Sequence, residues 1–339
     1  MTTDSRAIHA EDRACSLAGG APGEARGRGS VDCAVVVLNH NGEGLLPRCM
    51  ESVLRAGEAC SARCRAVVID NQSTDGSLEL LRTRFPDVTV VRRPNDYLFS
   101  YNGVIRSLEA KIVVALNNDV YLDDGFLEAL LPHFGEPDVF AATGRILEWD
   151  TDRFALPLSR QAAKITAGWL KQYPQDMSTA GPTIYCIGAA VAYDREKFLE
   201  LGGFDTLFRP HSFEDFDISY RAWKRGWRCL YEPRAVAWHK VAATIGRYYT
   251  DYPVFMKNWF LSQWVNMTDP WPLMTHIALL PGRLVKAALR RDAAYLSGFF
   301  MAAGQLPAVL RGRRTRPRVC GDREVLRRSS QGAAGPGIS

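Results

Sequence analysis

Asn117, Asn118 and Asp119 interrupt the chain just where the apolar run "KIVVAL" ends. Oxygen ligands at a strand end can face a hard cation together, and a divalent ion there would neutralise charge on a departing diphosphate. Asp119 is the anionic ligand and Asn117 offers a neutral oxygen. The same residues ahead of "GFLEALL" suit a helix N-cap equally well, and the motif alone does not choose. Asp70 ends the run "RAVVID", as an acid would if it read a ribose or base edge. Ser73, Asp75 and Ser77 after it have the types of turn and cap residues. In "NHNGEG", Gly42 and Gly44 allow close backbone approach, which a nucleotide or a tight turn would need.

A second group is "HSFEDFDISYR", where Glu214, Asp215 and Asp217 crowd a helix start. Acids there favour the helix dipole, and Asp217 is spaced for an i,i+4 pair with Arg221. Adjacent Glu214 and Asp215 point to different sides of the helix. One of them is free to face a cleft, where a partly desolvated carboxylate takes a proton from a sugar hydroxyl. His239 ends "RAVAW" and is either a satisfied imidazole or a metal ligand.

Elements that would position these groups follow a regular alternation from Val31. The runs "CAVVVL", "RAVVID", "VTVVRR" and "KIVVAL" alternate with helical patterns such as "LLPRCMESVLRAG" and "LELLRTRF". Continuous apolar strands separated by helices predict a mostly parallel, doubly wound α/β sheet of Rossmann-like type. Ligands of such sheets lie at the carboxyl ends of the strands, and the polar loops all come directly after strands. Further on, "TIYCIGAAVAYD" reads as a strand and "RCLYEPRAVAWHK" as a strand pair or hairpin.

The chain has 339 residues, is 47% hydrophobic and carries a net charge of +5. Between Arg283 and Arg328 twelve Lys and Arg face three Asp and Glu, a local +9 that leaves −4 elsewhere. A basic tail rich in Leu, Ala and Phe fits an anionic membrane surface better than nucleic acid. Residues 293–310 are 18 uncharged residues, barely long enough to span, with Gln305 and Pro307 inside. An in-plane amphipathic or re-entrant segment fits better than a span, and a helix packed on the main domain is the third option. The eight scattered cysteines suggest a reducing compartment without a disulfide framework.

Six stretches in order, "VVVLNHNG", "VVIDNQSTDGS", "ALNNDV", "GAAVAYDREKFLELGGFDTLF", "FEDFDISYRAWKRGW" and "AVAWHK", resemble the family 2, GT-A-fold inverting glycosyltransferases, particularly the bacterial rhamnosyltransferase-like branch. The likeness covers about residues 31–245. It implies a catalytic GT-A domain over 31–245, while composition reads as a disordered extension over 1–30, an amphipathic, membrane-associating helical region over 246–318 and a disordered tail over 319–339. It implies that Asn39, Asn41, Asp70, Asn118 and Asp119 bind the nucleotide-sugar. Asp119 and His239 would hold Mg²⁺ or Mn²⁺, Asn117 replacing the usual first Asp of the metal motif. Asp215 would be the general base, and Gly188, Ala189 and Glu214 would lie near the acceptor. The implied donor is dTDP-rhamnose. The basic, aromatic-rich C-terminal region suggests a lipid-linked or cell-envelope glycan acceptor, met at the cytoplasmic face of the membrane. Tyr97, Leu98, Phe99 and Tyr101 are bulkier than the family pattern, suggesting a donor pocket shaped for an unusual or deoxy sugar. Alternatives are a galactosyl, glucosyl or N-acetylglucosaminyl transferase, or a membrane scaffold that has lost catalysis. A dinucleotide-dependent dehydrogenase is disfavoured because no G-x-G-x-x-G comes after the first strand.

Overall fold

The computed structural model describes residues 31–154, 159–240 and 251–331. The extension over 1–30, expected to be disordered, lies outside the described residues.

Nine strands form one mixed sheet. They are β1 (Val31–Asn39), β2 (Cys64–Asp70), β3 (Thr89–Arg92), β4 (Ala110–Asn117), β5 (Val120–Leu122), β6 (Val139–Glu148), β9 (Gly181–Pro182), β10 (Ala190–Asp194) and β11 (Arg228–His239). Their order is β3-β2-β1-β4-β10-β6-β11-β5, with β9 on β11. The strands β1 to β4, β6 and β11 all point one way, so the sheet is mostly parallel. A separate hairpin pairs β7 (Gln161–Thr166) with β8 (Trp169–Pro174).

Alternation along β1 explains the layering. Cys33, Val35 and Val37 pack with Leu46, Cys49, Met50 and Val53 of helix α1 (Leu46–Ala59) on one face. Ala34 and Val36 face the opposite layer with Val104 and Ile105 of α3 (Ser100–Ser107). A strand buried on both faces reads as an unbroken apolar run, which is why these strands were conspicuous in the sequence. The other helices of this part are α2 (Ser77–Arg84), α4 (Phe126–Leu130), α5 (Arg195–Glu200) and α6 (Glu214–Lys224).

Three expectations are corrected. The segment "RCLYEPRAVAWHK" is one strand, β11, with a register shift between Glu232 and Val236 rather than a hairpin. Pro233 lacks the N–H for the ladder there, and a bulge absorbs it without reversing the chain. Next, no core boundary separates a catalytic domain ending at 245 from the later helices. Met256, Phe260, Leu261 and Val265 of α7 (Tyr252–Asn266) join the same buried cluster as Tyr101, Phe216 and Trp223. Finally, the expected disordered tail contains helix α11 (Asp322–Ser329). Its fully buried Asp322 accepts from Tyr220 Oη and from the Thr268 and Asp269 N–H groups, each at 2.7 Å, and pairs with Lys224. The polar composition suggested disorder, but one satisfied carboxylate ties the segment to α6.

Residues 293–310 form parts of two helices, α9 (Ala293–Ala303) and α10 (Leu306–Thr315), bent 59° at the break. Among the described residues no single helix is long and apolar enough to cross a membrane. Gly298 lets α9 lie against α7: a Cβ there would meet Met256 Cβ at 2.5 Å and the Lys257 nitrogen at 2.8 Å. The described segment is thus packed on the main domain, while α8 (Pro270–Leu289) buries only His276 and Ala287.

Candidate active site

Parallel pairing of β1 with β2 places Asn39 opposite Asp70, and both are fully buried. Asn39 Nδ2 donates to Asp70 Oδ1 at 3.2 Å and to Ser73 Oγ at 3.1 Å. Asn39 Oδ1 accepts from Asn118 Nδ2 at 2.8 Å. Asp70 Oδ2 accepts from the Ser73 N–H at 3.2 Å, and Arg92 stands 3.9 Å away. Three loops are therefore laced together by amides and one carboxylate. Gly42 is a steric requirement, since a Cβ there would lie 2.1 Å from Asn118 Nδ2 and 2.2 Å from Asn39 Oδ1. Asn41, exposed and left-handed at φ 51°, uses its side-chain oxygen on the Thr74 N–H at 2.7 Å.

Asp119 sits in the turn between β4 and β5. Antiparallel pairing of β5 with the end of β11 puts Val120 opposite His239. The Asp119 carbonyl is pinned by the Lys240 N–H at 3.0 Å and by Trp149 Nε1 at 2.9 Å. Asp119 Oδ1 faces His239 Nε2 at 3.3 Å. Both atoms are buried, yet neither makes a hydrogen bond of acceptable geometry. Two buried electron-pair donors left unsatisfied beside each other suit a shared cation, and carboxylate with imidazole is a fitting donor set for one. Among the described residues no group of three or more His, Cys, Asp or Glu is arranged to hold a metal. A cation here would have these two protein ligands.

The third part is the N-terminus of α6. Asp215 Oδ2 accepts from the Gly188 N–H at 3.2 Å, and Oδ1 from the Phe216 N–H at 2.7 Å. The neighbouring Ala189 carbonyl accepts from the Asn117 N–H at 3.1 Å. Glu214 Oε2 is buried without a hydrogen-bond partner. Burial, then the charge of Asp215, pushes the Glu214 carboxyl up to about 8. Burial also raises Asp215. When two adjacent carboxyls cannot both ionise cheaply, one keeps a proton and the other carries the charge. Burial therefore favours a proton held within the Glu214–Asp215 pair.

A continuous trail of contacts runs from Asp70 through Asn39 and Asn118, along Asn117, to Ala189, Gly188 and Asp215. Asp119 and His239 lie beside it, so the far-apart acids share one rim. Backbone strain gathers there too. Asn41, Gln72, Tyr97, Ser212 and Phe213 all have φ between 51° and 79°, at about 1–3 kcal/mol each for non-glycine residues.

Several of the expected site residues also hold the loops together. Asn118 and Asn41 spend polar atoms on loop architecture, and Asp70 organises the turn from a fully buried position. Phe99 and Tyr101 do not shape a pocket. They lie in the core, Tyr101 Oη donating to the Leu116 carbonyl at 2.8 Å, and only Tyr97 is half-exposed. Ser73 holds the turn after Asp70, as its type and place in the sequence indicate. Trp149, whose indole pins the Asp119 carbonyl, is a positioning residue that no signal in the sequence marked.

Residues 34–202 match the model for "Glycosyl transferase family 2". The chain belongs to glycosyl transferase family 2. This transferase is 24% identical, over 67% of its length and 85% of the other's, to the N-acetylglucosaminyl-diphospho-decaprenol L-rhamnosyltransferase of Mycobacterium tuberculosis. A pre-mycofactocin glycosyltransferase from the same organism is 28% identical over 45% of this chain and 32% of that protein. Among solved structures, S. aureus TarS 1–349 superposes with a TM-score of 0.52 at 14% identity, covering 82% of this chain and 83% of TarS. Mannosyltransferase PcManGT from Pyrobaculum calidifontis, in complex with GDP-Man and Mn²⁺, gives 0.51 at 17% identity over 80% and 86%. The fold is GT-A, as in these solved structures, and the relatives include a bacterial rhamnosyltransferase. Asp215 and His239 lie beyond the family match, so their roles rest on the geometry above.

Proposed function

We propose that this glycosyltransferase inverts the anomeric centre of a nucleotide-diphosphate sugar, with dTDP-rhamnose as donor. The acceptor is a hydroxyl of a lipid-linked or cell-envelope glycan at the cytoplasmic face of the membrane. The unsatisfied Asp119–His239 pair, on the same rim as Asp215, carries this reading. The M. tuberculosis relative, a rhamnosyltransferase named for a lipid-linked acceptor, supports the choice of donor and acceptor.

Asp119 and His239 would hold Mg²⁺ or Mn²⁺, which when bound neutralises charge on the leaving diphosphate. Asn39, Asp70 and Asn118 fix the loops that receive the nucleoside. Asp215, its oxygens oriented by the Gly188 and Phe216 N–H groups, takes the proton from the acceptor hydroxyl. Each carboxylate oxygen retains a second lone pair for that proton. Glu214, protonated, lies beside it as an acceptor-facing donor without adding a second charge. The raised pKa of Asp215 makes it a stronger base than an exposed aspartate.

The test is a thermal-shift and donor-turnover screen of nucleotide sugars with Mn²⁺, repeated with EDTA. Stabilisation and turnover specific to dTDP-rhamnose, abolished by EDTA, are expected. Preference for a UDP-linked sugar would overturn the donor, and turnover indifferent to EDTA would overturn the metal.

A further inference from the structure

Outside the rim, a hollow of about 320 Å³ opens between the β7–β8 hairpin and the C-terminal helices. Lys171 from β8 and Arg283, Lys286 and Arg290 from α8 and its end line it, against one acid, Asp292. Asp292 already caps α9 by accepting from the Tyr295 N–H at 3.0 Å. The walls are aromatic: Trp169 and Trp259 stack at 4.6 Å, and the Arg283 guanidinium lies 4.8 Å over Trp169. Arg283 Nη2 donates to the Ala167 carbonyl, whereas Nη1 is buried with no hydrogen-bond partner. An unmatched guanidinium donor in a cationic, partly apolar hollow calls for an anion with an apolar attachment.

The surrounding surface says which kind. Helix α8 exposes Trp271, Met274, Val285 and Leu289 to solvent, at 76%, 61%, 60% and 82%. At 3.6 residues per turn these share one stripe, about half a turn from buried His276 and Ala287 and more than a third of a turn from the hollow-lining Arg283. Such a stripe on a basic helix is the pattern of an element lying in the plane of a bilayer interface. With the stripe at acyl depth, the hollow stands about one helix diameter higher, among the phosphates.

We propose that this hollow is a binding site for the phosphate headgroup of an anionic bilayer phospholipid, seating α8 in the interface. The proposal deepens the membrane-face reading of the function and rests on it. It converts a general attraction for negative surfaces into a stoichiometric site. Charge complementarity selects the occupant. The hollow has a net surplus of cations, and the stripe beside it has no apolar partner among the described residues.

Two measurements test it. Flotation uses vesicles of phosphatidylcholine with about one-third phosphatidylglycerol, against phosphatidylcholine alone. Calorimetry uses monomeric dihexanoyl-phosphatidylglycerol and inorganic phosphate as separate probes. The variants are Lys286→Gln/Arg290→Gln, single Lys171→Gln, and a control of equal charge change, Arg311→Gln/Arg314→Gln, whose residues are exposed outside the hollow. Wild type should float with the anionic vesicles and bind the short-chain lipid more tightly than phosphate. The hollow double variant should lose tenfold or more in short-chain lipid affinity, Lys171→Gln several-fold, and the control less than twofold. Equal losses in the hollow and control variants overturn the site, leaving a diffuse electrostatic patch. Phosphate binding as tight as the lipid makes it an anion site and also overturns the proposal. Wild type that binds no anionic vesicle sinks the membrane reading itself, a different failure from flotation without short-chain lipid binding. Donor turnover should be unchanged in all variants, since none lies on the catalytic rim.

Discussion

Helix α6 joins two regions that treat their acids in opposite ways. At its first turn, facing the rim, Glu214 and Asp215 have raised pKa values and no cationic partner among the described residues. On the side facing the C-terminal helices, Asp217 is surrounded by cations. Arg221 Nε and Arg316 Nη1 each donate to it at 2.7 Å, and Asn266 Nδ2 at 3.0 Å. Burial alone would raise Asp217, but the Arg316 and Arg221 charges hold it below the ordinary aspartate range. Asp322 repeats the second pattern with Lys224 and three neutral donors. The contrast separates carboxyls left without a charge partner, as the proposed chemistry needs, from carboxylates clasped by cations. Adjacency in sequence says nothing about which is which.

The comparison would break most visibly at Asp215. An Asp215→Asn protein should fold and bind donor as the native protein does, yet turn over about 10²- to 10⁴-fold more slowly. Turnover at the native rate would remove Asp215 from catalysis. Asp217→Ala should do the reverse, costing about 3–5 kcal/mol of stability by leaving the buried Arg221 guanidinium without a carboxylate. Chemical denaturation would read that loss, and a cost below about 1 kcal/mol would show that the cluster is no clasp. Packing between the regions is probed by Gly298→Ala, where a Cβ would collide with α7. About 1–3 kcal/mol of destabilisation is expected for such overpacking.

Glu214→Gln sharpens the contrast through pH. Because the folded pKa of Glu214 lies above its unfolded value, the native state binds the extra proton between about 4.5 and 8. Stability should therefore be fully present below that window and fall as pH rises through it. The amide should flatten this slope in a thermal-unfolding series from pH 5 to pH 8. An unchanged slope would mean that Glu214 ionises freely. At the bottom of the scale, Arg327→Ala breaks only an exposed i,i+3 pair with Glu324 and should leave the melting temperature unaltered within error.

The parts of this molecule that were legible in the sequence are those governed by local periodicity. The strands β1, β2 and β4 were plain because both faces are buried, and the Asp217–Arg221 pair because four residues bring helix neighbours together. Asp119 and His239 were readable as candidates by type and position, but their mutual approach depends on the register of β5 with β11. Arg316 reaches Asp217 across 99 residues, and no local pattern records that. The bulge at Glu232–Val236 was misread because a proline within an apolar run is also how a hairpin is punctuated. The charge run was legible as charge but not as structure. Arg316, Arg313 and Arg328 turn inward to carboxylates or carbonyls, while Lys286, Arg290, Arg291, Arg311 and Arg314 stay exposed.

Arg316 also reaches Asp205, so the segment after α10 grips both the helix carrying Asp215 and the loop before it. A recombinant fragment trimmed at residue 245 to isolate a minimal enzyme would thus lose the rear anchorage of the helix that carries Asp215. Anything that tugs on the segment bearing Arg316 has a handle on the direction in which Asp215 points.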